Sequence, residues 1–219
     1  HENKNLYYEN FKHTTLGFVA QGSETGFGKP YARGINDHAL VKGEDQFIQV
    51  VSCNTHNLCC LIKNVGLDDD NLDKGAFVLI RRANDVSQSG KYVPAPEVGK
   101  HGDEAYGTHH AKDAANLFKT INKDLNLFSS AMKVNSQYMH ILHFNITLKR
   151  EVSLNNIIDR FEADDRISLT DKVNSNEVFS FGRDHGHFGR IMNQTVISVP
   201  SLNIRNRKEI SGFCFTPQD

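Results

Sequence analysis

The chain has 219 residues, 38% hydrophobic and 23% charged, with a formal net charge of −1. That is ordinary globular composition, enough for a substantial core in one or two domains. It gives no basic surplus for nucleic acid, no apolar run near the roughly 20 residues a membrane span requires, and no charged-then-apolar leader. A soluble protein without nucleic-acid or membrane partners is expected.

The first dozen residues are polar and without period, and residues 16–20 (Leu-Gly-Phe-Val-Ala) read as a short buried strand stopped by Gly22. Gly26, Gly28, Pro30 and Gly34 mark a loop. Residues 47–51, rich in β-branched side chains, read as a second strand running straight into Ser52-Cys53-Asn54-Thr55. From there Leu58, Leu61, Ile62 and Val65 fall at helical spacing, with Gly66 placed to cap the helix. Further strands are expected over 76–80, 127–134, 138–148, 196–204 and 210–215, and helices over 109–118 and 155–161. The glycine- and proline-bearing stretch 87–106 reads as loop. Strands and helices do not alternate strictly, which points to an α+β fold, a mixed sheet packed by helices.

Cys53 is the most informative residue, because it stands where a strand ends and a helix begins. The free N–H groups of a helix N-terminus favour a thiolate and can stabilise an oxyanion. Asn54 and Thr55 are short polar residues able to cap the helix or contact substrate. Cys59, Cys60 and Cys214 read as small buried apolar residues, and thiols this clustered suit a reducing compartment, with the cytoplasm as default. A nucleophilic cysteine needs a base, and eleven histidines are too many for composition to choose among. His140 and His143 differ by three, so in a strand they face opposite sides and only one can point at a given site. Arg81-Arg82 at a strand end and Thr108-His109-His110 after the glycine-rich loop have the chemistry of anion binders, against the alternative of solvated surface charge. His185-Gly186-His187 has a suggestive metal spacing, but no carboxylate or cysteine completes a ligand set, so no metal is assigned.

Val50-Val51-Ser52-Cys53-Asn54-Thr55 resembles the active-site segment of type II glyceraldehyde-3-phosphate dehydrogenases, the archaeal branch. Gln21-Gly22-Ser23-Glu24, Ile80-Arg81-Arg82-Ala83-Asn84-Asp85 and Thr108-His109-His110-Ala111-Lys112-Asp113 resemble further motifs of that family. So do the segment from Asp124 to Met139-His140, then Ile157 to Glu162, Arg166, and Phe181-Gly182-Arg183-Asp184, all in family order. The resemblance implies Cys53 as nucleophile and His140 as catalytic histidine, with His143 unmatched. It implies Arg81, Arg82, His109 and His110 as phosphate- and substrate-binding residues, flanked by Asn54 and Thr55 at the nucleophile.

By the same resemblance, residues 53–219 would form the catalytic domain, a mixed and largely antiparallel sheet packed by helices. Residues 1–52 would be the last strands of an incomplete Rossmann domain, since no G-x-G-x-x-G opens a βαβ unit before Cys53. The implied reaction is phosphorylating oxidation of glyceraldehyde 3-phosphate or a similar phosphorylated aldehyde, with inorganic phosphate and with NAD or NADP bound mainly by a domain outside this stretch. The implied assembly is a homotetramer. The chain departs from the family in lacking the glycine expected near Asn57, in a longer loop over 87–107, and in Ala111-Lys112 where Gly-Pro is expected. Those departures leave room for another phosphorylated aldehyde or semialdehyde as substrate, or for a non-catalytic relative that serves as a structural or binding domain.

Overall fold

The strand–helix corner at Ser52 joins two sheets in the computed structural model, which describes residues 2–22, 24–67, 70–84, 92–184 and 193–216. Before the corner come α1 (Glu2–Leu6), β1 (Phe18–Gln21), β2 (Lys29–Tyr31) and β3 (Phe47–Val50), with β3 in the middle and parallel to both neighbours. The strand expected over 16–20 is shifted and only half covered. Phe18 stacks on Phe47 at 4.9 Å, whereas Val19 on the opposite face is 68% exposed. The Gly/Pro stretch expected as loop contains β2, where Pro30 is tolerated because an edge strand can spare an N–H.

Past Ser52 the chain enters α2 (Cys53–Ile62), eight of whose ten side chains are buried. A helix apolar or buried on all sides belongs inside the molecule, and α2 packs against both the large sheet and the helix His109–Lys119. Leu58, Leu61, Ile62 and Val65 are all fully buried, as their spacing anticipates. Gly66 does not cap α2. It sits inside a π-helical turn over residues 63–67, where Asn64 Nδ2 donates to the Cys60 carbonyl at 2.8 Å and to Asp164 at 2.9 Å.

The large sheet comprises β4 (Leu72–Arg82), β5 (Glu97–Val98), β6 (Leu127–Val134), β7 (His140–Leu148), β8 (Ile167–Thr170), β9 (Thr195–Ser198), β10 (Asn203–Arg205) and β11 (Glu209–Thr216). The order is β5-β6-β4-β7-β11-β9-β8, with β10 also on β11. β4 and β6 run parallel through α3 (His109–Lys119), and β8 and β9 run parallel through α5 (Ser175–Gly182). The remaining pairings are antiparallel. The expected mixed, mainly antiparallel sheet is what the chain forms.

Some expectations need correction. The strand expected over 76–80 extends from Leu72 to Arg82. The one expected from residue 138 starts at His140, because Met139 has φ +54. The strand expected over 196–204 splits into β9 and β10 around a 3₁₀ turn containing Pro200, which has no N–H to give a ladder. β8 and α5 are too short and too weakly periodic to have stood out. His185, His187 and part of the 87–106 loop lie outside the described residues.

Strict alternation builds the core. His140, Leu142, Phe144, Ile146 and Leu148 of β7 point into it. Ala111, Ala114, Ala115, Leu117 and Phe118 of α3, and Ile157 and Phe161 of α4 (Leu154–Ala163), close it from the helical side. On the other face α5 lays Val178 over Met139, Val196 and Phe215.

The contacts that bind the small sheet to the rest of the fold include two from the loop after β2. The buried Asn36 amide donates to the Pro30 carbonyl and, at 2.9 Å, to Thr120 Oγ1 at the end of α3. The Arg166 guanidinium, paired with Asp164 at 2.6 Å and Asp165 at 3.2 Å, lies against Gly34, whose φ is +78. A β-carbon there would overlap the guanidinium and carry left-handed strain. Gly34→Ala is expected to cost about 1–3 kcal/mol in urea denaturation. The cost should be smaller in an Arg166→Ala background, because the two changes remove one shared contact.

Candidate active site

Ser52 caps α2: its Oγ accepts from the Thr55 N–H at 3.4 Å and lies 3.0 Å from the Thr55 hydroxyl. Cys53 is therefore the first helical residue, half-buried, with the positive end of the helix beside its sulfur. Of the two short polar residues that follow it, Thr55 is fully buried and spends its hydroxyl on the cap, so it offers substrate no surface. Asn54 is buried as well, with Oδ1 lacking a partner among the described residues. Cys59, Cys60 and Cys214 are fully buried free thiols, and burial pushes the Cys60 and Cys214 thiols up to about 12.

His140 opens β7 directly opposite Thr216 of β11. Asn57 lies one turn along α2 from Cys53, about 6 Å of helix axis, and its amide donates to Thr216 Oγ1. Asn57 thus ties α2, one turn along from Cys53, to the end of the β7–β11 pair where His140 stands. His143 faces the other side of the sheet, against Phe213 at 4.8 Å.

His140 is 8% exposed, and its Nδ1 accepts the Arg82 backbone N–H at 3.1 Å. Burial, then the charges of Arg82 and Arg81, push its pKa down to about 3. A neutral imidazole whose Nδ1 accepts carries its proton on Nε2. In this resting geometry His140 is a hydrogen-bond donor at Nε2, and it can take up a proton only by releasing the Arg82 N–H.

The double arginine is divided by the strand, since successive residues face opposite ways. Arg82 stands beside His140. Arg81 lines a cleft of about 370 Å³ with Lys100, Asp103, His109, His110 and Lys112. The Arg81 Nε is buried without a partner among the described residues. The cleft lies over the start of α3. There the N-cap residue Thr108 makes no side-chain cap bond and instead holds Ser129 Oγ at 2.6 Å and His110 Nδ1 at 3.2 Å. Ser129, from β6, receives the Ala111 N–H in its place. The loop wall of the cleft can lie this close to β6 because Gly107 has φ +74 and a β-carbon there would overlap the Ser129 carbonyl.

His109 and His110 pack ring to ring at 3.9 Å. His110, 2% exposed, is pushed down to about 2 by burial, then His109, Arg81 and His140. His109 is lowered by burial, opposed by Asp113. The site is therefore cationic through its arginines and lysines, while its two buried imidazoles stay neutral. Such a cleft suits a phosphate-sized anion.

Arg81, Arg82, His109, His110 and His140 are thus neighbours, and α2 is tied to their end of the sheet by the Asn57–Thr216 bond. Sequence reasoning missed Asn57, Ser129, Gln194 and Thr216. Ser129 and Thr216 carried a usable signal, a polar residue at an inward strand position, but many strands have one. Gln194, which donates to the Cys53 carbonyl at 2.9 Å, carried none. Among the described residues no group of three His, Cys, Asp or Glu could hold a metal, and no helix is long and apolar enough to cross a membrane.

No protein-family model matches the chain. Among curated proteins it is similar to archaeal glyceraldehyde-3-phosphate dehydrogenases, as the motifs indicated. It is 26% identical to that of Methanopyrus kandleri over 164 residues, 73% of this chain and 45% of the relative. It is 29% identical to that of Sulfolobus acidocaldarius over 165 residues, 71% of this chain and 45% of the relative. For Pyrobaculum islandicum the identity is 24% over 216 residues, 94% of this chain and 59% of the relative. The chain spans about half the length of the curated relatives it matches.

The buried neutral histidines make stability pH-dependent. His110 and His140 have folded values of about 2 and about 3, below the ordinary 6.5, so the unfolded chain takes up protons first as pH falls. Stability is undiminished above pH 6.5 and is lost below it, by about 1 kcal/mol per pH unit for each histidine. The lowered carboxylates of Asp37 and Asp164 lose their contribution only as pH falls below the ordinary 3.8, so a decline between pH 7 and 5 belongs to the histidines. Thermal melts at pH 7, 6 and 5 should show a falling Tm, with a shallower fall in His110→Asn.

Proposed function

We propose that this chain carries the catalytic portion of a phosphorylating aldehyde dehydrogenase, acting on glyceraldehyde 3-phosphate or a similar phosphorylated aldehyde. The supporting observation is the placement of Cys53 in the first turn of α2, joined through Asn57 and Thr216 to His140, beside a cationic cleft. Residues 53–219 are read as the catalytic domain and residues 1–52 as the last strands of a Rossmann domain, a reading the parallel pairing of β1, β3 and β2 supports. A cytoplasmic homo-oligomer, tetrameric as the resemblance implies, belongs to the same reading.

The Cys53 thiolate, favoured by the helix terminus, attacks the aldehyde carbon to give a thiohemiacetal. As charge develops on the carbonyl oxygen, the first N–H groups of α2 and the Nε2–H of His140 are the donors that would stabilise it. The Arg82 N–H keeps the His140 ring in the donor tautomer meanwhile. NAD or NADP, when bound, would supply the hydride acceptor that oxidises the thiohemiacetal, in its alkoxide form, to a thioester. The described residues contain no glycine-rich βαβ cradle for a dinucleotide pyrophosphate, so none is assigned to that cofactor. Arg81, His109 and the N-terminus of α3 hold phosphate oxygens, orienting inorganic phosphate or the substrate's own phosphate. Attack by inorganic phosphate on the thioester releases an acyl phosphate and restores Cys53.

Iodoacetamide should alkylate Cys53 at neutral pH at least about tenfold faster than a free cysteine, because the attacking species is the thiolate. Equal rates would remove the nucleophile from the proposal. In the intact protein, assayed with NAD and NADP over a panel of phosphorylated and unphosphorylated aldehydes, Cys53→Ala should abolish turnover. Arg81→Ala should raise the KM for inorganic phosphate or for the phosphorylated aldehyde about tenfold or more, the worth of a charge-assisted hydrogen bond. Unchanged KM values for both would place the anion elsewhere.

A further inference from the structure

Asn57 is fully buried, and its amide is spent entirely on other elements of the fold. Nδ2 donates to Thr216 Oγ1 of β11. Oδ1 accepts from Thr195 Oγ1 of β9 at 2.8 Å and from the Cys214 thiol of β11 at 3.5 Å. Thr195, Cys214 and Thr216 are themselves fully buried. Two features tie this cluster to the reacting groups. Thr216 is the ladder partner of His140, and Cys214 that of Leu142, the next inward residue of β7. Gln194, the neighbour of Thr195, donates to the Cys53 carbonyl at 2.9 Å. Residues 194 and 195 therefore grip α2 at two points four residues apart, on one face of the helix.

An apolar contact at this position would bury the helix as well, but burial has no direction and would let α2 turn or slide against the sheet. Hydrogen bonds have angular and distance preferences, and three converging on one planar amide allow one rotation and one height. Hydrophobic packing of Leu58, Leu61 and Ile62 presses the helix on the core, and the Asn57 amide sets where its first turn stops.

We infer that Asn57 is a positioning residue: its amide, held by Thr216, Thr195 and Cys214, fixes the height and rotation at which α2 presents Cys53 to His140. The inference rests on the reading of Cys53 and His140 as the reacting pair.

The test compares Thr216→Val, which keeps the shape and removes the hydroxyl, with Thr216→Ser, which keeps the hydroxyl. The quantity measured is the second-order rate of Cys53 alkylation by iodoacetamide from pH 5 to 9, with the modified residue identified by mass spectrometry. Cys59, Cys60 and Cys214 are fully buried, so the rate reports Cys53. Thr216→Ser should reproduce the wild-type profile. Thr216→Val should lose severalfold in rate at neutral pH and shift its inflection upward by the share of thiolate stabilisation that the His140 Nε2–H supplies, since the helix N-terminus moves with Cys53. Circular dichroism establishes that each variant is folded, and where Thr216→Val does not fold, Thr195→Val is read in the same way. A folded valine variant with a lowered Tm and an unchanged profile overturns the positioning role and leaves the Cys53 proposal standing. A wild-type profile already equal to that of free cysteine removes the Cys53 proposal itself.

Discussion

The geometry of this protein depends on the burial of α2 on nearly all sides while it carries polar residues at its start. A helix in that position cannot hand its polar groups to water, so most of them find a partner in the fold, Asn54 Oδ1 being the exception among the described residues. Ser52 and Thr55 answer one another at the cap. Asn57 is answered by two strands of the large sheet, and Asn64 by Asp164 at the end of α4. Each of these bonds restricts how the helix can sit. Together they make the position of Cys53, the first helical residue, a property of the whole sheet rather than of its neighbours in sequence.

The same economy of water shapes the electrostatics. The cleft beside α3 gathers Arg81, Lys100 and Lys112 at the surface, with His110 beneath them and His140 beyond. Placing imidazolium ions there would set buried charges among like charges, so these two rings are held neutral. The positive field is left to guanidinium and ammonium groups that cannot readily lose it, and the imidazoles serve as oriented donors and acceptors. The backbone N–H of Arg82 on His140 Nδ1 is the clearest instance: a strand residue sets the tautomer of a residue on the next strand.

Several of these features could be read along the chain. The junction of strand and helix at Cys53, the inward face of β7 and the helix from His109 follow from local pattern, because periodicities of two and about 3.6 show directly which residues share a face. The ordered motifs from Gln21 to Asp184 carried the likeness to archaeal glyceraldehyde-3-phosphate dehydrogenases, and curated relatives at 24% to 29% identity bear it out. Local pattern failed where the fold overrides it. Gly66 looks like a cap but lies inside a tight buried turn, and an apparently continuous strand over 196–204 breaks at Pro200.

What the sequence determined by itself was which residues have the chemistry for a thiol nucleophile and an anion site, and which sides of their own elements they occupy. What only the tertiary structure decided was how those elements meet. It sent Arg81 into the cleft and left Arg82 beside His140. It also brought Asn57 to Thr216 across 159 positions of chain. The reason is physical. Side-chain direction within one element is set by backbone geometry over a few residues, whereas pairing between elements is set by burial and hydrogen-bond satisfaction across the whole core.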